Sequence, residues 1–70
     1  MFFEANVTAY EHFNLAKPLI VEADSDFEAF EIFVEKMSEF ASNPYDINFT
    51  FVNTETNETF GPFDGWGEEL

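Results

Sequence analysis

From Phe2 to Tyr10 the chain reads FFEANVTAY, with Phe3, Ala5, Val7 and Ala9 on one side of an extended backbone and Glu4, Asn6 and Thr8 on the other. Side chains alternate across a strand with period two, so this segment predicts a half-buried β-strand. Glu11 to Pro18 loses the alternation and reads as a loop punctuated by Pro18. Leu19 to Ala23, short and rich in branched residues, predicts a second strand. Ile47 to Asn53 predicts a third, with Ile47, Phe49 and Phe51 inward and Asn48 and Thr50 outward. Thr54-Glu55-Thr56-Asn57 reads as a hairpin turn, and Glu58 to Phe60 as the start of a fourth strand.

Between the second and third strands the period changes from two to 3.6. Ser25 followed three positions later by Glu28 is a capping box, the signature of a helix start. From Asp26 to about Ser42 there is no Gly or Pro. Steps of about 100° per residue send Phe27, Phe30, Phe33, Val34, Met37, Phe40 and Ala41 to one broad face and Glu28, Glu31, Glu35 and Glu39 to the opposite one. Asn43-Pro44 ends the helix.

The order β-β-α-β-β predicts an α+β fold: an antiparallel sheet with one amphipathic helix packed across one face. Phe30, Phe33 and Met37 then meet Phe49, Phe51 and Val7 in one core. The pattern leaves the strand order open. Residues 1–70 form a single compact acidic domain, and the stretch 61–70, GPFDGWGEEL, either lies over the sheet edge or is loose.

Composition sharpens this reading. The chain has 15 Asp plus Glu against 2 Lys plus Arg, a formal net charge of −13, and 11 Phe among 70 residues. Acidic disordered chains are poor in aromatics, so the Phe content argues for a folded core. With no cysteine, neither a disulfide framework nor a thiolate zinc site supports so small a domain. No apolar run reaches the ~20 residues of a membrane span, and no secretory signal opens the chain, so a cytoplasmic location is expected. Nucleic-acid binding needs cations to release counterions. Lys17 and Lys36 are the basic side chains present, so the chain repels nucleic acid and anionic membrane and attracts basic surfaces.

Candidate chemistry is sparse. His12 sits in a predicted loop, there is no Arg, and no Gly-rich phosphate loop exists, so no catalytic residue is assigned and the protein is not expected to be an enzyme. Asp24, Asp26, Glu28 and Glu35 fall at positions 1, 3, 5 and 12 of an EF-hand-like register, but Ala29 occupies the position that needs Gly and the stretch is helical in period. No metal site or cofactor is expected. Trp66 reads either as a packed tail anchor or as an interface hot spot.

The glutamate face remains. Glu31, Glu35 and Glu39 follow one another at i+4 with no compensating lysine, Lys36 lying off the stripe, a spacing at which like charges cost a few tenths of a kcal/mol each. Solubility alone needs a net charge of only about 2–8 in a small domain. Glu28 to Glu39 spans about 16 Å, in which one DNA strand places about five phosphates. Partner binding is therefore assigned to Glu28, Glu31, Glu35 and Glu39, supported by Asp24, Asp26 and Asp46 near the helix ends.

Short length, extreme acidity, absent cysteine and a carboxylate-covered compact fold resemble the small acidic phage-encoded DNA mimics, and within them the inhibitors of the bacterial nucleoid protein HU. These mimics share no sequence motif, so the resemblance is one of profile and assigns no residue by position. It implies a partner in the host cytosol, the DNA-gripping surface and arms of HU, which bends DNA through the minor groove. Related mimics act on sliding clamps, restriction enzymes, uracil-DNA glycosylase or CRISPR effectors. The runner-up reading is an acidic interaction module that docks a basic partner unrelated to nucleic acid. Oligomeric state is not legible in the pattern.

Overall fold

A computed structural model describes residues 1–9, 18–40 and 47–70. The elements are β1 (Phe2–Ala9), β2 (Leu19–Glu22), α1 (Asp26–Phe40), β3 (Ile47–Asn53) and β4 (Thr59–Asp64). The fold is α+β, as the periodicity predicts. The strands form one four-stranded sheet in the order β2-β1-β3-β4, and every neighbouring pair is antiparallel. The expected loop and helix-ending residues at 11–17 and 41–46, including His12, Lys17 and Asp46, lie outside the described residues.

Register explains the burial. Phe3 pairs with Asn53, Ala5 with Phe51 and Val7 with Phe49, so the apolar parity of β1 coincides with that of β3. A one-residue slip of β1 would turn its apolar set to solvent. Phe3, Ala5, Ile47, Phe49 and Phe51 are buried with Ala29, Phe33 and Met37 from α1, and Val7 and Phe30 pack against them partly buried. Phe33 lies between two sheet rings, 5.2 Å from Phe51 and 6.2 Å from Phe49 between centroids. Separations of this size suit aromatic pairs, each adding about 0.5–1.5 kcal/mol beyond area burial.

Strand β4 departs from simple alternation. Phe60 and Phe63 are three residues apart, a spacing that puts side chains on opposite faces of a regular strand. Phe51 pairs with Phe60 and Phe49 with Phe63, so Gly61 and Pro62 stand together opposite Thr50. That extra residue is a β-bulge, and it resets the parity. Both rings consequently reach the helix side: Phe60 stacks on Phe51 at 4.9 Å, and Phe63 meets Phe30 edge-on at 5.0 Å. Gly61 holds a φ of +107° at the bulge, a conformation that side chains with a Cβ rarely adopt.

The segment 61–70 lies along the sheet edge, one of the two places the pattern allows. Gly61–Asp64 belong to β4, and the residues after them return along its outer edge, with Phe63 bridged to Glu69 and the Leu70 amide bonded to the Pro62 carbonyl at 3.1 Å. The physical cause is Asp64, buried at 5% exposure, whose Oδ1 accepts from the amides of Trp66 (2.9 Å) and Glu68 (3.0 Å). Two amides on one carboxylate close the turn and cover an edge that would otherwise be open.

Phe27, expected on the core face, is 70% exposed. Relative to Phe33, the centre of the buried face, Phe27 stands about 120° around the helix and Asp26 only about 20°. Asp26 takes the inward place in the first turn, and its Oδ1 accepts from Asn53 Nδ2 at 3.3 Å.

Candidate functional site

The acidic face is built by one helix. Ser25 caps α1, its Oγ accepting from the Glu28 amide at 3.1 Å. The reciprocal arm of the capping box reaches one residue further back than expected: Glu28 Oε2 accepts from the Asp24 amide at 3.2 Å. Acidic Asp26 and Glu28 in the first turn also complement the positive end of the helix dipole. The core contacts of Phe33 and Met37 then press the opposite side of α1 against the sheet.

On the outward side Glu28, Glu31, Glu35 and Glu39 are all exposed. They occupy an arc about 80° wide centred opposite Phe33. Among the described residues, the side chains of Glu31, Glu35 and Glu39 make no hydrogen bond or ion pair. Lys36 is half-buried, about 60° from Phe33 between the core and the stripe, and neutralises none of them. The three carboxylates therefore face water without an ionic partner among the described residues.

The other assigned residues take different places. Glu28 is on the stripe but tied back to the cap. Asp24 is exposed just before the helix. Asp26 is half-buried and faces Asn53 rather than the stripe. Asp46 lies outside the described residues.

One grouping is not visible in the linear pattern. The Asn53 side chain binds Asp26 through Nδ2, while its Oδ1 accepts from the amides of Glu55 (2.9 Å) and Thr56 (3.3 Å). This joins the β3–β4 turn to the start of α1. The end of β2 lies beside the start of β1, with Phe2 paired to Glu22. The same end of the molecule thus carries Glu22, Asp24, Glu28, Glu55 and Glu58, all exposed. The negative surface continues from the stripe around the helix N-terminus onto the hairpin.

The open side of the sheet is different in character. Asn6, Asn48, Thr50 and Val52 occupy its centre, with Glu4 and Glu22 toward β1 and β2. A shallow depression of about 270 Å³ there is lined by Asn6, Asn48, Phe49, Thr50 and Pro62, with no titratable group. Among the described residues, exposed acids are dense on the helix and at its N-terminal end and fewer at the centre of the sheet.

The EF-hand-like register does not form a loop. From Asp26 onward it is helix, with Asp26 turned inward and Glu35 outward. Among the described residues no group of three or more His, Cys, Asp or Glu is placed to hold a metal ion, and no helix is long and apolar enough to cross a membrane. No family model, curated protein or solved structure matches this chain.

Proposed function

We propose that this protein is a DNA mimic: it occupies the basic DNA-binding surface of a host DNA-binding protein, the nucleoid protein HU being the first candidate, and blocks DNA binding without catalysing a reaction. The observation that carries the reading is the one-signed outer face of α1, where Glu31, Glu35 and Glu39 are exposed and unneutralised on a helix backed by a Phe core.

Magnitudes support it. A net charge of −13 spread over 4626 Å² leaves one excess charge per about 360 Å². Successive carboxylates from Glu28 to Glu39 are about 4.5–6 Å apart along the axis, the same order as the ~3.4 Å between phosphates of a single DNA strand. A duplex carries twice that density, and the acids at the helix N-terminal end add to the stripe. The long dimension of the molecule, 32 Å, is near the ~34–36 Å of one duplex turn. Opposite fields steer such an encounter, so association is fast and weakens steeply with salt. The site of action under this reading is the bacterial cytosol.

The test uses a labelled duplex bound to purified HU. Added protein releases the duplex in a dose-dependent manner at low salt, and less so as salt rises. Binding to HU without release would instead favour an acidic module that docks basic partners away from their DNA site. No binding would remove HU, and the same displacement assay then extends to other DNA-binding targets, beginning with a sliding clamp.

A further inference from the structure

The sheet has two edges, and the chain treats them differently. Beyond β4 the C-terminal segment returns, with Phe63 bridged to Glu69 and the Leu70 amide bonded to the Pro62 carbonyl. β2 is the other outer strand, and among the described residues no strand lies beyond it. The ladder fixes where its main-chain groups point. The Ala23 amide donates to the Met1 carbonyl at 3.0 Å, and on the other side of β1 the Phe2 carbonyl accepts from the Thr54 amide at 3.1 Å. In an antiparallel pair, hydrogen-bonded and non-hydrogen-bonded residue pairs alternate. In step with Met1 and Ala23, Phe3 opposite Val21 and Ala5 opposite Leu19 are therefore bonded pairs, whereas Phe2 opposite Glu22 and Glu4 opposite Ile20 are not. The amide and carbonyl of Ile20 and of Glu22 point away from β1, and among the described residues nothing bonds them.

Side chains define what can pair there. Ile20, 60% exposed, and Glu22, also exposed, stand on the open side of the sheet, at the parity opposite to buried Val21. Phe2, 53% exposed, and Glu4, half-buried, accompany them on β1. Glu4 stands between Ile20 and Val52 of the neighbouring strands, and its side chain makes no hydrogen bond or ion pair among the described residues. Open edges in soluble proteins are guarded, often by lysine, against pairing with another chain. Here the guard is glutamate. It turns away an acidic strand, including that of a second copy, which brings −13 to the same edge, and it admits a basic one. A lysine stem lies along Ile20 and Phe2 while its ammonium reaches Glu22 or Glu4.

We infer that the outer edge of β2 is a docking site for an extended basic segment of a partner protein, added to the sheet as a further strand. Its main chain bonds Ile20 and Glu22, and its basic side chains lie over the open face beside Glu22 and Glu4. Strand addition of this kind takes affinity from main-chain hydrogen bonds and selectivity from alternate side chains. It uses none of the α1 stripe, so it stands or falls apart from the DNA-mimic reading.

The probe is an alternating lysine–valine hexapeptide, titrated into the isotopically labelled protein and read by amide chemical shift and hydrogen exchange. A lysine peptide also gathers on the α1 glutamates by charge alone, so the decisive signal is local. The Ile20 and Glu22 amides gain protection, while those of Leu19 and Val21, already bonded to β1, change little. The same peptide N-methylated on its lysines, the residues that face Ile20 and Glu22, keeps its charge and binds this edge about tenfold or more weakly, without protection. Glu22→Lys, a change at an exposed position, removes the protection and leaves the circular dichroism unchanged. The triple variant Glu31→Gln, Glu35→Gln, Glu39→Gln retains it. Equal protection by the N-methylated peptide, or shifts confined to α1 with none at Ile20 and Glu22, would overturn the inference. So would protection of these two amides that rises with protein concentration in the absence of peptide, because a second copy would then take the edge. Duplex displacement from HU is scored separately, so loss of the edge site and loss of the mimic reading give different results.

Discussion

The backbone of Gly67 rests on the ring of Phe30. With φ at +84° and only 2.7 Å between a notional Cβ and Phe30 Cζ, this contact fastens the C-terminal segment to the helix. Gly67→Ala combines a disfavoured backbone conformation with a steric clash, and its expected cost is about 1–3 kcal/mol. Urea denaturation measures it. Phe30→Leu removes one of the two close contacts but leaves Val34 Cγ2 at 2.9 Å and the φ penalty, so Gly67→Ala should cost less in a Phe30→Leu background than in the wild type, but not nothing.

Asp64 is expected to behave as a structural carboxylate. Its Oδ1 serves two amides while nearly buried. Asp64→Ala leaves those donors without their acceptor and should cost about 1–3 kcal/mol. Amide exchange should accelerate at Trp66 and Glu68 well before it does in β1 and β3. Asp64→Asn keeps an acceptor and should lie between the two.

The stripe should work against stability. Glu31–Glu35 and Glu35–Glu39 are like-charged i,i+4 pairs, each unfavourable by about 0.2–0.5 kcal/mol. Replacing all three by Gln should stabilise the protein by about 0.5–1 kcal/mol, or roughly 2–8 °C in Tm for a domain of this size. At 1 M salt, where the screening length falls to about 3 Å, the gain should vanish. A variant that loses stability would mean that these carboxylates hold the fold rather than face a partner.

Much of this architecture is legible in the chain, because contiguous periodicity records local geometry. The alternation of Phe3, Ala5 and Val7 and the 3.6-residue spacing of Phe30, Phe33 and Met37 give their elements directly. The features that escape it depend on a partner element. The odd spacing of Phe60 and Phe63 makes sense only with a bulge opposite Thr50. Phe27 is apolar and at the margin of the core face, and what turns it outward is the bond from Asn53 to Asp26 across sequence separation. That bond also gathers the acids at the helix N-terminus with those of the hairpin. Strand order belongs to the same class, since alternation is unchanged by which neighbour a strand pairs with. The stripe was legible because it lies within one helix, and the seat of Gly67 on Phe30 and Val34 was not because it joins α1 to the tail.

The central claim is that the outer face of α1 stands in for DNA phosphates. Competition for HU between a labelled duplex and either the wild-type protein or the variant Glu31→Gln, Glu35→Gln, Glu39→Gln tests it most directly. The account predicts that the wild type displaces the duplex and that the folded variant has lost most of this ability. A triple variant that displaces DNA as well as the wild type does would contradict it.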